Sequence, residues 1–514
     1  MSTLLDALPD KRVIGTPPDR VGGIASDSRR VEAGDCFVAV PGFKADARRF
    51  VAQAVERGAG LVVTEGETPP MPGVATVLVP SARAALGRLA AVYYGHPSRD
   101  LTLVGITGTN GKTTSSYLVE ALLQAEGHRT GVIGTIQYVL GDERRPAGQT
   151  TPEAPQLQSM LARMRDHGVR GVAMEVSSHA LALARVDELT FDVAMFTNLT
   201  QDHLDFHRTL DAYRAAKRHL FELLARSPKP RRTAVVNADD PSGPEMTRDL
   251  PLSVLTFGLG SRADVRAERH ESTFAGIRLT AVTPRGRLEL TSPLIGEHNV
   301  MNLLGAVGAG IALGLDVAAI VRSLGHVGTV PGRFEQVQAG QPFLVVVDYA
   351  HTPDALERVL ATARKLTPGR LAVVFGCGGD RDRGKRPIMG EIAARLADRV
   401  WITSDNPRSE RPLAIIDEIA HGMRSAGQAR FIADPDRRAA IAAALGWAER
   451  GDTVLIAGKD HATYQIIGSD VLPFDDREIV RAILSGRALW RPSPSRRSSE
   501  PPRARSWSAT SACR

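Results

Sequence analysis

The chain reads as an α/β protein of three domains: a small mixed α/β domain, a central doubly wound sheet with a phosphate loop, and a C-terminal Rossmann-like domain. Three observations predict this. A chain of 514 residues with 43% hydrophobic side chains is too long for one core and apolar enough for several. From Leu101 onward, apolar runs of strand length alternate with amphipathic segments of helix length, as in parallel sheets covered by helices. The stretch Ile106-Thr107-Gly108-Thr109-Asn110-Gly111-Lys112-Thr113-Thr114 joins one such run to one such helix through a glycine-bearing loop.

Residues 1–98 form the first predicted domain. Within it, 36–40 and 61–63 read as strands and 82–94 as a helix, and Gly95-His96-Pro97-Ser98 reads as a linker. Residues 99–330 form the second, with strands at 101–105, 130–136, 171–176, 193–198, 233–237 and 252–257. Helices at 113–125, 155–166 and 210–224 fit between them, and a hairpin, 277–282 with 287–290, precedes a small-residue helix at 299–312. Residues 331–489 form the third, with strands at 344–347, 371–375, 400–403, 429–432 and 453–457 and helices at 354–365 and 385–396. Residues 490–514 are rich in Arg, Ser and Pro, cannot bury a core, and read as a disordered basic tail. No internal repeat is present.

Six arginines against one glutamate in the tail supply five of the seven formal positive charges, so the body is nearly neutral. That argues against a basic face for a polynucleotide. No apolar run approaches the roughly 18 residues of a membrane span, and the opening decapeptide is too acidic and too short in its apolar part for a signal peptide. Cys36, Cys377 and Cys513 are odd in number and far apart, which predicts a reducing, cytoplasmic setting. Cys377 is open to two readings, a reagent-sensitive thiol or a buried inert one.

The chemistry concentrates at predicted strand ends, where such sheets bind ligands. Loop amides and a helix N-terminus at 108–114 would cradle phosphate, with Lys112 reaching the β and γ phosphates and Thr113 holding Mg²⁺. Ile106 stands where the common phosphate loop has glycine. Glu175, in Glu175-Val176-Ser177-Ser178-His179, is placed for Mg²⁺. The loop 198–207 gathers Asn198, Asp202, His203, Asp205 and His207, a candidate metal or phosphate site. Lys217, one lysine on an amphipathic helix, reads as solvated. Arg333 lies at the junction of the second and third blocks, and Asp348-Tyr349-Ala350-His351-Thr352-Pro353 ends a strand. A glycine-rich loop at 376–385 and Asp405-Asn406-Pro407-Arg408 bring Arg381 and Arg408 together with carboxylates and an amide. That mix suits a zwitterion, since guanidinium forks bind carboxylate and Asp or Asn accept from ammonium.

Taken together these motifs resemble the Mur ligases, over about residues 24 to 488. The phosphate loop, 175–179, 198–207, His298-Asn299-Val300-Met301-Asn302, Gly332-Arg333-Phe334-Glu335 and 348–353 carry the likeness. Asp27-Ser28-Arg29 with Gly34-Asp35, and 405–408, resemble the members that extend the peptidoglycan stem to a tripeptide, and 405–408 resembles the recognition motif of those that add meso-2,6-diaminopimelate. The resemblance implies an ATP-dependent ligase acting through an acyl phosphate on the D-glutamate γ-carboxylate of UDP-N-acetylmuramoyl-L-alanyl-D-glutamate. It implies ATP binding by Gly108, Thr109, Asn110, Gly111, Lys112, Thr113, Thr114, Asn302, Arg333, Asp348 and His351. Mg²⁺ would be held by Thr113 and Glu175, and a second ion by His203 and a carbamylated Lys217. Ser28, Thr150, Thr151, Ser177 and Arg185 would hold the UDP-substrate, and Arg381, Asp405, Asn406, Pro407, Arg408 and Gly458 the diaminopimelate. The third domain would close over the second, in a monomer that needs no nucleic acid.

Two departures stand out. The family's Gly-Lys-Gly-His-Glu is here Gly458-Lys459-Asp460-His461-Ala462, with Asp460 a candidate replacement for the missing carboxylate. Leu183 stands where some relatives have a substrate-binding Gln. The competing readings are a lysine-adding or other Mur ligase and, from a different class, a phosphate-loop ATPase or switch that turns over ATP without either substrate.

Overall fold

The computed structural model describes residues 2–42, 47–66, 71–427, 430–459 and 464–487. The basic tail and residues 460–463, with Asp460 and Ala462, lie outside them. The chain divides into two compact units. The first comprises Met1–Glu271, Ile277–Ser292 and His298–Val327, and the second Ser272–Gly276, Pro293–Glu297 and the chain from Gly328 on.

The first unit holds two sheets. The N-terminal one has five strands in the order Arg12–Ile14, Ala75–Leu78, Leu61–Thr64, Cys36–Ala39, Ile24–Ala25. It is parallel except for the antiparallel edge pair Arg12–Ile14 with Ala75–Leu78. Two of its three inner strands, Cys36–Ala39 and Leu61–Thr64, are buried at every residue, as a sheet covered on both faces requires. One cover is the helix Ala82–Tyr93, capped by the Ser81 side chain accepting from Ala84 N–H, with Leu86 and Leu89 packed on Val38 and Val63.

The second sheet has eleven strands. Its parallel heart runs Ser253–Gly258, Thr233–Asn237, Val193–Phe196, Thr102–Thr107, Val169–Glu175, Arg129–Ile133. The flanks turn antiparallel, through Gln137–Leu140 and Glu143–Pro146 on one side and the expected hairpin Gly276–Thr283 with Gly286–Ser292 on the other. Glu175 pairs in register with Ile106, and Thr107 with Phe196, so three central strands end at one level and their loops lie side by side. The predicted strand 130–136 stops at Ile133, which frees Gly134 and Thr135 for the site described below.

In the second unit six strands run Glu335–Gln336, Leu344–Asp348, Thr453–Ala457, Leu371–Phe375, Arg399–Ile402, Ile432–Ala433, all parallel but the first. Of the predicted strand 429–432, Ala429 lies outside the described residues, and among the rest the pairing falls at Ile432 and runs on to Ala433. Apolar layers lie on both sheet faces, one with Leu356, Leu360 and Met389, the other with Trp401, Ile441 and Leu445. The loops after Asp348, Phe375, Ile402 and Ala457 all leave from carboxyl ends, where ligands of such sheets bind.

Candidate active site

The strand Thr102–Thr107 hands over to the helix Lys112–Leu123 through Gly108, Thr109, Asn110 and Gly111. First-turn amides and the helix dipole favour an anion at that start. Two glycines are required on steric grounds. Gly108 has φ +147°, and a Cβ there would lie 1.8 Å from Thr197 Oγ1; Gly111 has φ +85°, and its Cβ would lie 2.5 Å from Asn302 Oδ1. The loop is laced to the neighbouring strand end. Thr109 N–H donates to Asn198 O at 2.8 Å, Asn110 N–H to Asn198 Oδ1 at 2.9 Å, and Thr197 Oγ1 to Asn110 O at 2.6 Å. Lys112 Nζ folds back over the loop onto Gly108 O and Thr109 O, at 2.7 and 2.8 Å. Asn302 is fixed by donating to Asn299 Oδ1 at 2.8 Å.

Glu175 is buried beside this loop. Thr113 Oγ1 donates to its Oε2 at 3.1 Å, Thr135 Oγ1 to the same oxygen at 3.0 Å, and Thr135 N–H to Oε1 at 2.8 Å. The Thr113 hydroxyl oxygen and this carboxylate meet at one place, two oxygen donors of the kind a hard cation takes. Such a set suits Mg²⁺, which commonly takes one or two carboxylates and completes its shell with water and substrate phosphate.

Lys217 corrects its reading as a solvated lysine. It lies on the helix Leu210–Arg226, whose buried stripe is Tyr213, Lys217, Leu220, Phe221 and Leu224. Those positions recur at helical spacing, so the lysine occupies a core position of an amphipathic helix. Its side chain is 0% exposed, its Nζ has no hydrogen-bond partner among the described residues, and it sits 4.2 Å over the Tyr213 ring. Burial first, then Lys112, lower its pKa well below the usual lysine value, against the pull of Asp202. An orphaned, desolvated amine beside a cation is a site where an added negative charge would be welcome. His203 stands close by at φ +53°, paired with Asp202 at 3.4 Å. Desolvation and then, against Asp202, the cations Lys112 and Lys217 lower its pKa. The His179 ring packs 4.8 Å from His203 and 5.5 Å from His207, and burial with these neighbours brings it down to about 4. Among the described residues no three His, Cys, Asp or Glu side chains gather as a ready metal site. The donors fit a second cation only with a carboxylate on Lys217.

Four of the five proposed UDP-substrate residues come together. Thr151 Oγ1 donates to Glu175 O at 2.8 Å and accepts from Ser177 N–H at 3.1 Å. Thr150 Oγ1 lies 3.0 Å from Thr135 Oγ1. Arg185 donates to Thr151 O and Gln149 Oε1, each at 2.9 Å, and pairs with Glu153 at 2.6 Å. The fifth, Ser28, is buried in the N-terminal domain and donates to Gln53 Oε1 at 2.7 Å.

In the second unit Arg333 lies over the Tyr349 ring at 4.3 Å, and Tyr349 over His351 at 4.4 Å. Asp348 accepts from Phe334 and Ala350 N–H at 2.7 and 2.8 Å. At the next strand ends, Arg408 Nη1 donates to Gly379 O at 2.8 Å, and Gly379 N–H to Asn406 O at 2.9 Å. A Cβ on Gly378 would lie 3.0 Å from Arg408 Nη1 and 3.7 Å from Arg381 Cγ, so glycine lets both arginines border one spot. Gly379 and Gly458 are equally constrained, by Pro407 O at 1.9 Å and Gly376 O at 2.8 Å. Asn406 Oδ1 accepts from Ile466 N–H, and Asp405 is buried with its pKa raised by desolvation.

Family models match nearly the whole body. The Mur ligase family catalytic domain matches residues 20–94, the Mur ligase middle domain 106–310, and the Mur ligase glutamate ligase domain 332–460.

The chain belongs to the Mur ligase family.

A UDP-N-acetylmuramoyl-L-alanyl-D-glutamate–2,6-diaminopimelate ligase of Geobacillus thermodenitrificans is 46% identical over 95% of this chain and 99% of its own. One of the same name from Solibacter usitatus is 47% identical over 91% and 94%. A solved structure, also of a UDP-N-acetylmuramoyl-L-alanyl-D-glutamate–2,6-diaminopimelate ligase, covers 94% of this chain and 99% of its own, at 34% identity and a TM-score of 0.67. As a Mur ligase the protein is an ATP-dependent enzyme that forms amide bonds.

Motif reading of this Mur ligase missed Thr135 and Thr197. Gly134 carried a signal for the first: a Cβ there would lie 2.6 Å from Glu175 Oε1, so a glycine just past a strand end marks the approach of the carboxylate. Also missed was Arg386, which is fully buried and binds Glu410, Glu418 and Gly378 O beneath the glycine-rich loop. Cys377 takes the inert reading: it is buried, and burial pushes its thiol up to about 12.

Proposed function

We propose that the protein adds meso-2,6-diaminopimelate to the D-glutamate γ-carboxylate of UDP-N-acetylmuramoyl-L-alanyl-D-glutamate in peptidoglycan synthesis. The observation that carries this is Arg408, held by Gly379 O at a strand end beside Asp405 and Asn406. Its remaining N–H groups offer a fork for the second carboxylate that diaminopimelate has and lysine lacks. The names of relatives spanning almost the whole chain agree with that choice.

In this reading residues 1–98 take the UDP-substrate, 99–330 take ATP, and 331–489 take the incoming amino acid. Lys112 exchanges its two loop carbonyls for ATP phosphate oxygens, and the family likeness assigns Asn302, Arg333, Asp348 and His351 to ATP as well. A γ-carboxylate oxygen, presented from the Thr150, Thr151, Ser177 and Arg185 side, attacks the γ-phosphorus, and the bond to the β-phosphate oxygen breaks to release ADP. The diaminopimelate amine, once it has lost a proton, attacks the acyl carbon, and the bond to phosphate breaks to leave the amide. Arg381, Asp405, Asn406, Pro407, Arg408 and Gly458 orient that amine. Mg²⁺ held by Thr113 and Glu175, and by His203 with a carbamylated Lys217, would neutralise charge on the transferring phosphoryl group. The lowered Lys217 pKa favours the neutral amine, whose lone pair adds to CO₂ while a proton leaves. No helix among the described residues is long and apolar enough to cross a membrane. The reading places a monomer in the cytoplasm.

Arg408→Met tests the assignment. It should lower kcat/KM for diaminopimelate roughly hundredfold, the scale of a lost charge-assisted pair, with the KM for ATP unchanged. Equal activity in the variant would contradict the role.

A further inference from the structure

Thr135, half-buried and absent from every motif above, bonds to Glu175 twice and to Thr150 once. The directions of these bonds matter. A hydroxyl has one proton, and that of Thr135 goes to Glu175 Oε2. The Thr135–Thr150 bond at 3.0 Å therefore takes its proton from Thr150. Thr150 is left with lone pairs for a ligand, so it accepts from a substrate N–H or O–H and does not donate to a carboxylate or phosphate. Next in sequence, Thr151 donates to the main-chain carbonyl of Glu175. The substrate segment is thus tied to both the side chain and the backbone of Glu175.

We propose that Thr135 is a positioning residue that couples the two sites through a one-way chain, Thr150 to Thr135 to Glu175. A substrate donor on Thr150 fixes that hydroxyl, which fixes Thr135 and orients the carboxylate that holds the metal–nucleotide. By reciprocity the metal–nucleotide tightens the substrate. The inference rests on the proposed function for the identity of its ligands.

The test uses Mn²⁺ with ADP as probe, free Mn²⁺ being read by electron paramagnetic resonance, with and without UDP-N-acetylmuramoyl-L-alanyl-D-glutamate. In the full-length protein the dipeptide should tighten Mn²⁺–ADP about fivefold or more, the usual scale of site coupling. Thr135→Val keeps the main-chain N–H bond and loses both hydroxyl bonds, so coupling should fall below about twofold. Thr135→Ser should restore it. Thr150→Val cuts the chain from its other end and should match Thr135→Val, which keeps the test open if one variant folds poorly. Unchanged coupling in Thr135→Val, no coupling in the unaltered protein, or no restoration by serine each overturns the role of Thr135 and leaves the proposed function standing. An unaltered protein that binds Mn²⁺–ADP but, by equilibrium dialysis, never the dipeptide overturns both.

Discussion

At the scale of residues, Lys217 stands out because its burial costs stability. A fully buried amine without a hydrogen-bond partner opposes folding, because its charged form is solvated only in the unfolded chain. Its folded pKa lies below the ordinary 10.5, so between the two values the unfolded chain binds more protons and stability rises with pH. Lys217→Met should therefore raise Tm near neutral pH in CO₂-free buffer, and the gain should shrink as pH climbs towards 10.5. A gain that is constant across this range would show the amine to be solvated. Function should respond in the opposite direction. Lys217→Ala should lose about 10³-fold in turnover and recover part of it with added formate or acetate, measured as phosphate release. Full activity in the variant would remove the ligand role. The sequence held a sign of this residue's burial, since Lys217 sits four residues after Tyr213 and before Phe221 on one stripe. A lone lysine on a helix is so often solvent-facing that composition hides the sign.

At the scale of elements, the glycine-rich loop after Leu371–Phe375 rests on an ion-pair network built around a buried arginine. Arg386 is 0% exposed and holds Glu410 and Glu418, and Glu410 in turn accepts from Asp380 N–H at 2.7 Å. Arg386 keeps the Glu410 carboxyl down at about 2. A carboxylate with a lowered folded pKa adds stability above its unfolded value, and that stability is lost as pH falls through the folded one. Arg386→Met should cost about 2 kcal/mol at pH 7, because it strips Glu410 of its cation while Glu418 keeps Arg383. The gap from the unaltered protein should narrow between pH 5 and 2; denaturant melts across that range check this, and a pH-independent gap would contradict it. Long periodic elements were legible: the strands Thr233–Asn237, Leu371–Phe375 and Thr453–Ala457 and the helix Lys385–Leu396 lie where their apolar patterns place them. Short or exposed ones were not. Glu143–Pro146 buries almost nothing, and in Gln137–Leu140 the three buried residues follow one another without alternation. The end of the strand at Ile133 was also hidden, because Gly134 and Thr135 leave the ladder to meet Glu175, 40 residues away from Thr135 in sequence.

At the scale of the whole molecule, function was more legible than packing. The phosphate loop, Glu175 and Arg408 each announce their chemistry by residue type at a strand end, and the fold needs only to bring strand ends to one level. The pairings Glu175 with Ile106 and Phe196 with Thr107 do so in the first unit. What the sequence hid is who holds whom: Thr135 on Glu175, Asn198 under the phosphate loop, Arg386 behind the glycines. Such partners are polar, scattered along the chain and unmarked by spacing. On the proposed function, this Mur ligase selects an amino acid with two carboxylates. The most direct test of this is phosphate release by the purified protein with ATP, UDP-N-acetylmuramoyl-L-alanyl-D-glutamate and either meso-2,6-diaminopimelate or L-lysine. Diaminopimelate should exceed lysine by roughly 10²-fold or more in kcat/KM, with no release when any substrate is left out. Equal rates with lysine, or phosphate release without an amino acid, would contradict it.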